Sequence, residues 1–154
     1  MNDEHIRRQL YEFNTIYKET DAIYSQLAKL SGLSNCAFWL MYYICEKNGK
    51  CIQKEICGQW TMSKQTVNSA LKGLEKDGYI TLTSSEEDKR NKYISLTDKG
   101  QKFAHDHIEI VFRLEQLALR KMSDEARISM IENNRSYQKL FQAETEQFLK
   151  ANKY

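Results

Sequence analysis

Gln65, Asn68, Ser69, Lys72 and Lys76 follow one another at steps that bring all five to the same flank of a helix turning about 100° per residue. The flank carries amides, a hydroxyl and ammonium groups, with no acid and no large apolar side chain. These are the groups that hydrogen-bond base edges and phosphates in the major groove of a duplex. Val67, Leu71 and Leu74 fall on the opposite flank, within about 60° of one another, and burying each is worth about 1.5–3 kcal/mol. One face therefore belongs to a core. The other is either a solvated helix surface or a nucleic-acid-reading edge, and the elements around it decide between them.

Ser63 is a good N-cap for this stretch, which the pattern predicts as helical from Lys64 to about Lys76 before Gly78 ends it. A shorter helix, Gln53 to Gln59, precedes it across the link Trp60 to Ser63, the arrangement of a helix-turn-helix. Short polar residues fill the first turns, the part that reaches base edges when such a helix docks. "YITLTSS" and "KYISLT" then alternate and are rich in β-branched and aromatic types, predicting a hairpin. Its charged tip, "EEDKRN", carries Lys89 and Arg90, with Lys92 opening the second strand.

The rest of the chain must position this middle section. Ile6, Leu10, Phe13, Tyr17, Tyr24 and Leu27 mark one face of an N-terminal helix, and "GLSN" ends it, with Ser34 able to cap a second helix from Asn35 to about Lys47. "KNGK", residues 47–50, reads as a turn. Beyond the hairpin, Thr97 caps a long helix from Asp98 to about Lys121, with Phe103, His107, Ile110, Leu114 and Leu117 on one side. Ser123, Asp124 and Glu125 open a last helix, whose apolar positions include Met130, Tyr137, Phe141 and Phe148. The two ends are long amphipathic helices with little between them to pack on. They need each other or a second copy.

At 154 residues, 41% hydrophobic and 29% charged, the composition excludes disorder and a membrane bundle. No proline interrupts the helices, and the apolar run Cys36 to Cys45 is half the length of a membrane span. The first thirty residues lack a signal-peptide core, which places the protein in the cytoplasm as an expectation. Cys36, Cys45, Cys51 and Cys57 form no C-x-x-C pair and read as small packed hydrophobes; a thiol switch at Cys51 or Cys57 would need a depressed thiol pKa. His105 and His107, two residues apart, point to different sides of a helix and make a poor zinc pair. No phosphate loop, metal-ligand pair or nucleophile motif suggests an enzyme, and no cofactor is implied. From 51 to 97, seven basic residues face six acids, a net of +1, so any basic footprint lies in arrangement rather than excess.

Residues 53–102, "QKEICGQWTMSKQTVNSALKGLEKDGYITLTSSEEDKRNKYISLTDKGQK", resemble the MarR (multiple antibiotic resistance regulator) family of winged helix-turn-helix transcription factors. The likeness is carried by S-K-Q-T-V at the start of the recognition helix, L-E-K-D-G-Y-I at its exit, the D-x-R of Asp88 and Arg90, and the closing L-T-x-x-G of Leu96, Thr97 and Gly100. It implies a mainly α fold with a small β-hairpin wing: a dimerisation helix over 1–33, a winged helix-turn-helix lobe over 34–97 and dimerisation helices over 98–154. It further implies a homodimer on a pseudo-palindromic duplex, commonly a repressor released by an effector. By position, Ser63, Lys64, Gln65, Thr66, Asn68, Ser69 and Lys72 would address the major groove. Arg90, flanked by Lys89 and Lys92 and held by Asp88, would enter the minor groove.

Family members commonly answer to a small aromatic ligand, an oxidant or a metal. Tyr11, Tyr17, Trp39 and Tyr43, with Tyr24 and Tyr42, could line an aromatic pocket, although the same rings suit a dimer core. Oxidant-sensing members place their cysteine in the first helix, where this chain has none, and three scattered histidines do not make a zinc sensor. The near-neutral lobe leaves an alternative in which it binds a protein partner rather than DNA.

Overall fold

Capping serines and threonines set the helix starts in the computed structural model, which describes residues 3–59, 63–84 and 92–152, the side chains of 57–59 excepted. In chain order the elements are α1 (Asp3–Ser31), α2 (Asn35–Glu46), β1 (Lys50–Ile52), α3 (Gln53–Gln59), α4 (Lys64–Lys76), β2 (Ile80–Ser84), β3 (Lys92–Leu96), α5 (Asp98–Phe103), a π-helical turn (Ala104–Ile108), α6 (Glu109–Arg120) and α7 (Asp124–Ala151). Ser34, Ser63, Thr97 and Ser123 each cap the helix expected of them, their hydroxyl oxygens accepting from the backbone N–H three residues on. The result is mainly helical with a small antiparallel sheet, as the sequence implies.

Two features depart from the sequence reading. The "KNGK" turn exists, with Asn48 and Gly49 both at positive φ (56° and 81°), but it runs straight into a third strand. β1 pairs antiparallel with β3, Cys51 opposite Ile94, and the sheet order is β1-β3-β2. The long helix expected from Asp98 is also interrupted. At Ala104–Ile108 the hydrogen bonding slips into a π turn, flanked by the buried Phe103 and followed by the buried Val111. His105 bonds Glu109 at 2.8 Å, and the His107 ring lies 4.5 Å from that of Phe103.

The chain divides into two units, residues 1–111 and 112–154, with the division inside α6. The first has a continuous core: Phe38, Met41 and Ile44 of α2, Ile56 of α3, Val67, Leu71 and Leu74 of α4, Ile80 and Ile94 of the sheet, and Ile108 are all buried. α1 contributes little to it, since only Ala28 of that helix is buried. In the second unit, Arg127 donates to the carbonyls of Leu119 (3.0 Å) and Met122 (2.7 Å) and pairs with Asp124, fastening the corner between α6 and α7. No residue of α7 is buried.

Candidate nucleic-acid interface

The amphipathic logic of α4 is realised in full. Val67, Leu71 and Leu74 retain no more than 2% of their exposure, whereas Gln65, Asn68, Ser69, Lys72 and Lys76 are all exposed. Ser63 accepts from the Thr66 N–H at 3.1 Å, and the two hydroxyls share a further bond of 2.8 Å. These side chains therefore shape the start of α4, leaving Lys64 and Gln65 as the longer groups presented by its first turn. At the other end the Gly78 N–H bonds the Glu75 carbonyl and the Tyr79 N–H bonds that of Leu74, both at 2.9 Å. Gly78 sits at φ 75°, so this is a Schellman stop.

The exit from α4 is bolted to the wing. The Thr97 hydroxyl donates to the Gly78 carbonyl at 2.6 Å while accepting from the Gly100 N–H at 3.0 Å. Gly100 is required there, because a Cβ would collide with the Tyr79 carbonyl oxygen. Lys99 adds a bond to the Asp77 carbonyl at 2.6 Å and lies 4.6 Å from the centre of the Tyr79 ring. Thus the L-T-x-x-G signature fixes the angle at which the hairpin leaves α4. The Leu82 N–H on β2 is held by the Glu75 carboxylate at 3.3 Å, tying strand and helix a second time.

Of the wing residues singled out from the sequence, Lys92 is exposed at the start of β3, opposite Ser84. Asp88, Lys89 and Arg90 lie outside the described residues, as does most of the Trp60–Ser63 link. Sequence reasoning missed Gln53, which opens α3 directly after β1 and donates from Nε2 to Asn68 Oδ1 at 2.6 Å. The one signal it offered was its place three residues after the "KNGK" turn.

The four candidate ligand residues do not share one environment. Tyr11 and Tyr17 are largely exposed on α1, at 72% and 56%, while Tyr43 is buried at 2%. Desolvation, with the nearby Glu55, Cys51 and Glu46, holds the Tyr43 hydroxyl above its usual range. Trp39 is half-buried at the hub of an aromatic cluster, its ring 4.7 Å from Tyr24, 5.4 Å from Tyr42 and 5.7 Å from Phe38. An open groove of about 640 Å³ runs elsewhere, between the start of α2 and the flank of α4, touching Ser34, Cys36, Gln65 and Ser69.

Cys36, Cys45 and Cys51 are free thiols. Burial pushes Cys45 up to about 12, with Glu109 adding to the effect. It pushes Cys51 up to about 11, Glu55 adding and Lys47 opposing. This is the reverse of what an activated thiol needs. The Cys57 side chain lies outside the described residues. Among the described residues no group of acids, histidines and cysteines could hold a metal ion, and no helix is long and apolar enough to cross a membrane.

A buried aliphatic face, an exposed amide-and-lysine face and a hairpin locked to the helix exit define a winged helix-turn-helix protein. Residues 31–91 match the MarR family, in agreement with the resemblance carried by the sequence motifs. The chain is 32% identical over 63 residues, 41% of its length and 45% of the relative's, to YwhA, an uncharacterized HTH-type transcriptional regulator of Bacillus subtilis (strain 168). That alignment spans less than half of either protein. Over 94% of this chain and 95% of the other, the fold matches a Listeria monocytogenes structure described as a MarR family transcriptional regulator complexed with 26mer DNA, at 26% identity and a TM-score of 0.69. NMB1585, a MarR family regulator from Neisseria meningitidis, shares the fold over 99% of this chain and all of its own, at 22% identity and a TM-score of 0.74.

Proposed function

We propose that this protein is a dimeric, sequence-specific DNA-binding transcriptional regulator, a repressor released by a small effector and acting in the cytoplasm. The observation that carries the reading is the acid-free exposed stripe of α4, set opposite a fully buried aliphatic one. Lys64, Gln65, Asn68, Ser69 and Lys72 would reach base edges and phosphates, Ser63 and Thr66 would hold the helix start, and Arg90, flanked by Lys89 and Lys92 and held by Asp88, would enter the minor groove. The DNA-bound state of the Listeria structure supports this reading.

The second copy is supported by α7, whose Met130, Tyr137, Phe141 and Phe148 stay 39–66% exposed within the chain. Helices over 1–33 and 98–154 would then form the dimerisation region, presenting two α4 helices to half-sites about 10 base pairs apart. For an aromatic effector, Trp39 and its ring neighbours are the best-supported contact, with Tyr11 and Tyr17 exposed on α1. Electrophoretic shift of duplexes covering the region upstream of the protein's own gene, at several salt concentrations, tests the reading. A salt-sensitive, sequence-preferring complex is expected; binding indifferent to sequence would defeat it.

A further inference from the structure

We infer that Gln53 is a specificity-positioning residue: its hydrogen bond to Asn68 determines which edge of that amide the recognition helix offers to a base. The inference rests on the DNA-binding reading above and concerns a residue outside the helix that does the reading.

An asparagine identifies adenine by using both halves of its amide, the carbonyl accepting from N6 and the NH2 donating to N7. In this protein the carbonyl half is engaged. Gln53 Nε2 donates to Asn68 Oδ1 at 2.6 Å, turning that oxygen toward α3 and leaving Nδ2 as the edge free to meet a base. A lone NH2 donor pairs with acceptors, best with the adjacent N7 and O6 of guanine and also with thymine O4 or adenine N7, and with its carbonyl turned toward α3 it does not make the two-bond contact that singles out adenine.

Gln53 is itself held in place from outside α4. It is the first residue of α3 and follows β1 directly, where Ile52 lies opposite Tyr93 in the sheet. The Glu55 carboxylate accepts from the Ile52 N–H at 3.2 Å, closing the corner from strand to helix. Half-buried Gln53 therefore starts from a fixed backbone, while Asn68 is exposed. The small strand that sequence reading overlooked thereby gains a role in reading.

Selection of bound duplexes from a randomised library by the full-length protein, followed by sequencing, tests the inference. Asn68→Ala should erase the preference at one position per half-site and so locate the base concerned. At that position the wild type should favour guanine, which offers two acceptors, over cytosine, which offers only a donor, by about ten-fold. Gln53→Glu supplies a carboxylate that can only accept, so Asn68 must turn its NH2 toward α3 and expose its carbonyl. The preference should then move to adenine or cytosine, whose amino groups donate, with all other positions unchanged. Gln53→Leu leaves the Asn68 amide free to use both halves and should raise adenine at that position alone. Identical base preferences for wild type and both Gln53 variants would overturn the inference while leaving DNA binding intact. Failure of the wild type to select any sequence would instead remove the DNA-binding reading and this inference with it. Circular dichroism melts of the variants separate a changed preference from impaired folding.

Discussion

The lobe around α4 and the terminal helix α7 are built from similar fractions of apolar residues, yet only the lobe buries them. Val67, Leu71 and Leu74 vanish into a core shared with α2 and the sheet, whereas Phe141 and Phe148 are 62% and 66% exposed. Amphipathic periodicity therefore has two meanings in one chain: in the lobe it records a finished core, and in α7 an unfinished one. A helix has to cover such a stripe to be stable in water, because propensity alone supports a long isolated helix poorly.

The sharpest way to break this contrast is to charge the unfinished face. Phe141→Asp with Phe148→Asp should convert a dimer into monomers in sedimentation equilibrium and cost roughly a hundred-fold or more in operator affinity, since two linked half-sites become one. A double variant that remains dimeric would show that α7 is not the dimer seam. Leu71→Ala tests the finished core and should lower stability by about 2–5 kcal/mol in urea titration, with the slope of the transition unchanged. Gly100→Ala forces a methyl against the Tyr79 carbonyl and should cost about 1–3 kcal/mol by the same measurement.

Smaller effects sharpen the chemistry of the lobe. Lys72→Ala combined with Arg90→Ala should reduce the log–log salt slope of DNA binding by about two, one for each cation removed. An unaltered slope, with binding to a protein partner preserved, would favour the interaction-module alternative. The thiols give the mildest effect. Their folded-state pKa values are raised, to about 12 for Cys45 and about 11 for Cys51, so the folded protein keeps protons that an unfolded chain releases near pH 9. Stability from these groups is complete below about pH 9 and declines as pH rises toward the folded values. The urea midpoint should fall between about pH 8.5 and about 10.5, less so in Cys51→Ala. Peroxide at neutral pH should leave DNA binding unaltered.

Much of this was legible in the sequence because it rests on local rules. Ser34, Ser63, Thr97 and Ser123 cap helices through bonds three residues long, and the two faces of α4 follow from its turn angle alone. What escaped depends on partners distant in sequence or on single bonds. β1 is too short to show alternation and exists because β3 is there to pair with it. The π turn at Ala104–Ile108 arises from a slip in backbone bonding and needs neither proline nor glycine to mark it. Gln53 looks like any first-turn glutamine until Asn68 is folded against it. The aromatic residues of α1 and α2 were visible as a set, but their separation into exposed Tyr11, clustered Trp39 and buried Tyr43 required the packing.

Arg127 gives the second unit a mechanical property. By holding the Leu119 carbonyl at the end of α6, the Met122 carbonyl of the link and the first acid of α7 together, its guanidinium braces the corner from three sides.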